Sequence, residues 1–381
     1  GKDATVDGIG GTAFTVTAAT TVLHELHIVN TSQAAVVLAD NVTITGCQLY
    51  TLAGGIRIQG DHALITSNTF QQGYGSGAAV RVEGSHTYIA YNTFMQTPDG
   101  VALVDGVNHT IEDNVFTDAI HAVQVKNAQD CYIWGNTFQD NHVAIDIINQ
   151  GCSIGDNVLR DNDKAILLRA AGSSVVNNTL TGNTIGIEVT GDFNTITGTT
   201  IRDSQEAAIR LSSSSGTDVS DCILSGNAVG IDAVDSGQIM EATIHNVTFS
   251  GTTGDSIVLY NATATISGCT FSSVTRGIYI NQSTAVTVQS SIFDTGVTAI
   301  YLQDATPSIE GCDISRYASG IVSHGQHATI SDSTLHNNTI GLHLAGENTS
   351  LLDCFIKDND VGVAAHGARN LTVNCTVHNN N

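Results

Sequence analysis

Proline is nearly absent: Pro98 and Pro307 are the only two in 381 residues. Almost every backbone N–H is therefore available for hydrogen-bonded ladders. Charge is also scarce, at 13% Asp, Glu, Lys and Arg, about half the usual quarter. Basic residues are the scarcest, 13 against 36 acidic, for a formal charge of −23. Only four are lysines (Lys2, Lys126, Lys164 and Lys357). Such a surface excludes nucleic acid and anionic membrane as partners, because both need a basic patch. No apolar run approaches the ~18 residues of a helical membrane span. No CxxC spacing occurs among the eight cysteines, so no zinc site of that kind and no cofactor are expected. Hydrophobic content of 41% excludes a disordered chain.

What the chain has instead is a clock. "NTF" stands at Asn68, Asn92 and Asn136, "NVF" at Asn114, "NVL" at Asn157 and "NTL" at Asn178. Taking Asn68 as the zero of a rung, sixteen rungs of 21–25 residues run from Cys47 to Cys375. Two residues after zero every rung is apolar, as at Phe70, Phe94, Phe116 and Phe138. Three residues before zero stands Ile, Val or Leu in all rungs but the last, which has Thr372. A second apolar pair follows later in the rung, as in "GIEV" from Gly186 and "GIYI" from Gly277. Apolar and polar residues alternate within each piece, the strand period of two, and Gly, Asn and Asp separate the pieces. A unit this short cannot bury its own apolar face, whereas stacked copies can. The expected fold is all-β: a single right-handed parallel β-helix, or solenoid, of about 16 rungs over 22–381, with 1–21 as a lead-in or partial cap. The Asn at zero is expected to turn inward at a corner and bond neighbouring corners through its amide. A second Asn column (Asn141, Asn162, Asn183, Asn227, Asn338, Asn359 and Asn380) lies five residues later. Asn also tolerates left-handed backbone, which suits a corner.

The repeat resembles the right-handed parallel β-helix superfamily of pectate-lyase-like folds. Within it the nearest likeness is to the NosD-like, carbohydrate-binding-and-sugar-hydrolase type repeats. It stands here as "CSIGDNVLRDNDKAILL" from Cys152 and "ATISDSTLHNNTIGLHL" from Ala328. The resemblance implies the fold, while lyases, epimerases, hydrolases, adhesins and structural proteins share that scaffold. The DPHD of mannuronan epimerases and the GHG with paired Asp of polygalacturonases are missing. "SHG" at Ser323 and "AHG" at Ala365 stand nearest to the latter.

Six cysteines occupy the zero column as buried fillers. Two pairs on adjacent rungs, Cys131/Cys152 and Cys354/Cys375, are close enough for disulfides without requiring them. An outward strip ten residues after zero reads Asp146, Leu167, Glu188, Arg210 and Asp232, with Arg169 nearby. Glu188 and Asp232, two rungs apart with Arg210 between, have the separation of an inverting glycosidase's carboxylates. The competing reading is a solvated ladder of alternating charge. Tyr260, Tyr279 and Tyr301 are expected on successive rungs of one sheet, and Tyr88, Tyr132 and Trp134 on another, where rings could stack on sugars or meet a second subunit. The histidines His324, His343, His366, His62 and His86 are dispersed rather than convergent, so no metal site is expected. Eleven sequons, at Asn30, Asn41, Asn108, Asn177, Asn246, Asn261, Asn281, Asn337, Asn348, Asn370 and Asn374, are candidates for covalent glycans.

The last rung, from "NLTVNC", stops just past its first corner. An open rung is an unpaired sheet edge. Either the chain is a fragment of a longer one, or the open end is completed by head-to-tail self-association, expected between Leu371, Val373 and Val377 of one copy and Leu23, Leu26 and Ile28 of the next. The leading expectation is an extracellular or cell-surface structural protein, a self-assembling rod forming a layer, sheath or filament. The alternative is a carbohydrate-active enzyme (polysaccharide lyase, epimerase or glycosidase) or a polysaccharide-binding module using the outer sheet.

Overall fold

The computed structural model describes residues 4–7, 10–51, 54–72, 77–234, 240–325, 327–366 and 369–380. Every regular element among them is a β-strand, and the chain coils as a parallel β-solenoid of about 17 turns. It divides into two compact units, Gly1–Ile187 and Glu188–Asn381.

In the first unit a turn has three short strands, as in Thr110–Glu112, Val115–Thr117 and His121–Val125. Each pairs in parallel with the corresponding strand a turn later, Ile111 with Ile133, Phe116 with Phe138 and Val123 with Ile145. The expected columns are thus real registers. Ile65, Ile89, Ile111, Ile133 and Ile154 are wholly buried. Phe70, Phe94, Phe116 and Phe138 stack with centroids 4.6–4.9 Å apart and planes within 6° of parallel. That distance is the strand spacing itself. Residues expected as a lead-in also pair: Ala4–Asp7 lies against Leu26–Val29, and Thr12–Val16 against Gln33–Val37. The strand edge at Leu26 and Ile28, expected at an axial contact, is therefore occupied by this chain's own Ala4 and Val6.

The zero-column asparagines do turn inward. Asn136 Oδ1 accepts from Asn114 N (2.9 Å) and Nδ2 (3.0 Å), while Asn136 Nδ2 donates to Ile111 O and Trp134 O, both 2.9 Å. The same bonds link Asn68, Asn92 and Asn114, and the second column links Asn141, Asn162 and Asn183. One expectation needs correction. The ladder asparagines do not adopt the left-handed conformation; the residue before each does, with φ of 57° at Ser67, 56° at Tyr91, 53° at Asp113, 64° at Gly135 and 52° at Asp156. The left-handed residue makes the corner, and the Asn after it satisfies the backbone that the corner strips from the ladder.

In the second unit Ser204, Thr252, Val274, Gly296 and Tyr317 take the place of Asn in the second column. Val274, Gly296 and Tyr317 stand there in register, and the strands run unbroken as Thr270–Asn281, Ile292–Gln303 and Asp313–Ser323. Backbone pairing replaces the amide bridge. Gly296 is required, since a Cβ there would come within 2.3 Å of the buried Tyr317 ring. Phe249, Phe271 and Phe293 repeat the parallel aromatic stack.

All eight cysteines carry free thiols, those of the Cys131/Cys152 and Cys354/Cys375 pairs included. Cys131 and Cys152 stand in register, and their mutual hydrogen bond, with burial, pushes the Cys152 thiol well up. The zero-column thiols do more than fill space. Cys269 Sγ donates to Ser267 O (3.5 Å) and Ile244 O (3.8 Å), the same two carbonyl positions that Asn136 Nδ2 serves.

Candidate functional site

Interior columns fix which strand positions face outward, and long strands in the second unit present the most developed outward row. Tyr279 stands in register with Tyr301, and Tyr301 with Val322, which pairs with His343. Side-chain rings continue the row: Tyr279 to Tyr301 at 5.7 Å, Tyr301 to His324 at 5.4 Å, His324 to His343 at 6.1 Å and His343 to His366 at 5.6 Å. These planes lie 33–83° apart, unlike the parallel rings inside. The phenol of Tyr279 is held from both sides, donating to Gln303 Oε1 (2.9 Å) and accepting from Asn281 Nδ2 (3.1 Å). At one end Arg276 lies over the row, its Cζ 4.4 Å from the Tyr279 centroid and 5.3 Å from that of Tyr301, a cation–π geometry. Asp255, opposite Arg276 in register, grips the guanidinium through Nε and through Nη2 at 2.8 Å. That hydrogen bond raises the Arg276 pKa further.

Tyr260, Tyr279 and Tyr301 lie on successive turns of one sheet, with Tyr260 offset along its strand. The register partners of Tyr260 are Val234 and Asn281, while Tyr279 pairs with Val258. Tyr260 sits two residues further along its strand, on the same face but in the neighbouring column. His324, His343 and His366 are neighbours along the strip on one sheet. Among the described residues no group of three or more His, Cys, Asp or Glu is placed to hold a metal ion. Arg276, Asp255 and Gln303 were missed by sequence reasoning; their signal is the outward column next to Tyr279, visible once the register is known.

Of the carboxylates weighed as catalytic, Asp146 and Asp232 lie beside arginines. In the second unit Arg210 Nε lies 3.3 Å from Asp232 Oδ2, and its Nη2 3.2 Å from Glu206 Oε2. Asp232 is thus tied to the guanidinium that was expected to separate it from Glu188, which is half-buried. In the first unit Asp146 is wholly buried and accepts from Gln124 Nε2 at 3.1 Å. Arg169 Nε approaches its other oxygen to 3.2 Å without hydrogen-bond alignment.

Tyr88, Tyr132 and Trp134 on the outside of the first unit form no continuous row. Thr110 separates Tyr88 from Tyr132 in register. Tyr88 donates to Glu112 Oε2 at 2.7 Å, and this bond, then burial, pushes its pKa up to about 12. Trp134 lies flat over Gly155, where any Cβ would come within 2.5 Å of the indole. His62 and His86 stack at 4.6 Å. Of the sequon asparagines, Asn281, Asn348 and Asn370 are half-buried and the other eight exposed, most at left-handed corners. Leu371, Val373 and Val377 are exposed, Leu23 and Leu26 are half-buried, and Ile28 lies in the core.

No curated protein matches the chain. Among solved structures it is similar to the A-module of a mannuronan C-5 epimerase from Azotobacter vinelandii, with 13% identity over 99% of this chain and 91% of that one and a TM-score of 0.30. It is similar to the tailspike protein of E. coli bacteriophage HK620, with 10% identity over 97% and 74% and a TM-score of 0.40. It is also similar to a PL6 family alginate lyase, with 8% identity over 99% and 96% and a TM-score of 0.33. Likenesses this distant carry no chemistry across. The family description "right handed beta helix region" matches residues 12–159, 119–241 and 235–381. Those stretches overlap to span everything from residue 12 onward, and the chain belongs to the right-handed β-helix family.

Proposed function

We propose that this protein binds a polysaccharide along the outer face of its second unit, with the Tyr279–Tyr301–His324–His343–His366 row as the platform and Arg276 with Asp255 closing one end. The observation that carries the reading is the row itself, five aromatic rings on five successive turns. At ~4.8 Å per turn it extends about 19 Å, the length of a short oligosaccharide. Tilted rings offer faces and edges to the C–H faces of sugars, and the amides and imidazoles offer partners to hydroxyls. Gln303 and Asn281 hold Tyr279 in place beforehand, which lowers the ordering cost of binding.

This reading leads over a purely structural role because a passive rod needs only its interior columns. The strip is built entirely from outward positions. Catalysis is no part of the proposal. A location outside the cell, where such polymers are met, belongs with it.

Retardation in native gels containing soluble neutral and acidic polysaccharides tests it. At least one polymer should slow the wild-type chain. Tyr301→Ala and the Tyr301→Ala/His343→Ala double variant should weaken that binding about tenfold or more, ~1.4 kcal/mol per decade, with unchanged circular dichroism. Failure of the wild-type chain to bind any polymer, or undiminished binding by the double variant, would refute the proposal.

A further inference from the structure

In the first unit, the parallel pairing of Ala78–Val82 with Ile56–Ile58 sets Arg57 directly opposite Arg81 on the outer face. Two guanidinium groups one strand spacing apart repel. Their juxtaposition stands out in a chain with 13 basic and 36 acidic residues. One carboxylate answers both. Glu83 Oε1 accepts from Arg57 Nε (3.1 Å) and Arg81 Nε (2.8 Å), and its Oε2 from Arg57 Nη2 (2.8 Å) and Gln59 Nε2 (2.8 Å). Four donors fill its two oxygens, and the trio keeps a net charge of +1. The Arg57 hydrogen bond, opposed by partial burial and helped by Arg81 and Gln59, holds the Glu83 carboxyl down at about 2.

Donors remain. Arg81 meets Glu83 only through Nε, and its two terminal nitrogens make no hydrogen bond among the described residues. The arginine side chains are 41% and 43% exposed. The next position in the column beyond Arg81 is Ala102, too short to cover the guanidinium on that side. Gln59 spends its amide N–H on Glu83 and keeps its oxygen as an acceptor.

We propose that Arg57 and Arg81 form a binding site for an oxyanion carried on a saccharide, a carboxylate or a sulfate ester. The guanidinium fork suits a two-oxygen anion. Gln59, held on the same carboxylate, offers its Oε1 to a hydroxyl on the same sugar, which a bare ion lacks. The site lies in a different unit from the aromatic row and does not depend on it.

Isothermal titration in ~0.15 M salt, where the Debye length is about 8 Å and distant acidic residues are screened, tests the site with four probes: carboxymethyl-dextran, dextran sulfate, unmodified dextran and inorganic sulfate. The expected result is that the wild-type chain binds one or both charged dextrans, and binds inorganic sulfate at least tenfold more weakly. Arg81→Gln should weaken charged-dextran binding tenfold or more; Arg57 still holds Glu83 in that variant, so circular dichroism should not change. Glu83→Gln removes the competing carboxylate and should strengthen binding severalfold. No binding of either charged dextran, an unchanged Arg81→Gln or a weakened Glu83→Gln would overturn the site. Sulfate binding as tight as the polymer's would overturn its assignment to a saccharide. None of these variants touches Tyr301 or His343, so this inference and the proposed function fail separately.

Discussion

Replacing Asn136 by alanine isolates what one ladder amide contributes. Its Oδ1 is the acceptor for the buried Asn114 N–H at 2.9 Å, and alanine leaves that donor without a partner. Other losses are smaller. Asn114 Nδ2 keeps Ile89 O and Glu112 O, both 2.9 Å. Trp134 O keeps the Asp113 N–H at 3.2 Å. Asn157 Oδ1 keeps the residue 136 N–H, which alanine retains. Ile111 O loses its amide donor. One orphaned buried donor and one weakened acceptor together amount to about 2–4 kcal/mol.

The chain supplies its own control. Serine holds the same position at Ser291, where Oγ accepts from Cys269 N at 3.2 Å and donates to Gln289 O at 2.9 Å. Asn136→Ser should therefore cost less than half as much as Asn136→Ala. Turns of a solenoid contact only their neighbours, so a global unfolding midpoint dilutes a local loss. Amide hydrogen exchange at Asn114 is the sharper assay, and a 2 kcal/mol loss appears there as about 30-fold faster exchange. If alanine costs under about 0.5 kcal/mol, or if serine is no better than alanine, the ladder is not what satisfies the corner.

Phe138→Ala removes a wholly buried ring stacked 4.9 Å from Phe116 and should cost about 3–5 kcal/mol in urea denaturation. Glu112→Gln should return the Tyr88 pKa from about 12 toward 10, read by ultraviolet titration. Because the folded state holds the Tyr88 proton more tightly than the unfolded state does, wild-type stability should fall as pH rises from about 10 to 12, and Glu112→Gln should flatten that fall. Burial pushes Cys222, Cys269 and Cys312 up to about 11, so iodoacetamide at pH 8 should label the half-exposed Cys375 well before them, and all eight thiols only in denaturant.

The interior was legible because it is over-determined. Ile111 must lie above Ile133 and Phe116 above Phe138, since a slip of one residue would turn every apolar side chain outward. Corner geometry was half legible. The Asn columns were visible, yet the left-handed residue was assigned one place too late. Asn is the usual residue in that conformation, whereas here Ser67, Tyr91 and Asp113 occupy it. Outward columns were least legible. Tyr260 and Tyr279 could be placed on successive turns of one sheet from the sequence, and only the backbone register shows them two places apart along the strand. Arg57 and Arg81 lie 24 residues apart in sequence, with no local motif to mark them.

Ring geometry separates the two kinds of column on physical grounds. Phe249, Phe271 and Phe293 lie 4.4–4.8 Å apart with planes 1–3° from parallel, because neighbouring turns squeeze each ring into one orientation. The outward rings from Tyr279 to His366 obey the same turn spacing but tilt by 33–83°, with centroids 5.4–6.1 Å apart. Nothing in the core fixes them, so the repeat does not require aromatic residues there. Val258 and Val322 fill the same column with aliphatic side chains, and the backbone pairing continues through them. A row that stability does not demand, and that carries one phenol held by two hydrogen bonds and one arginine held by an aspartate, is the basis on which a contact with a polysaccharide is proposed.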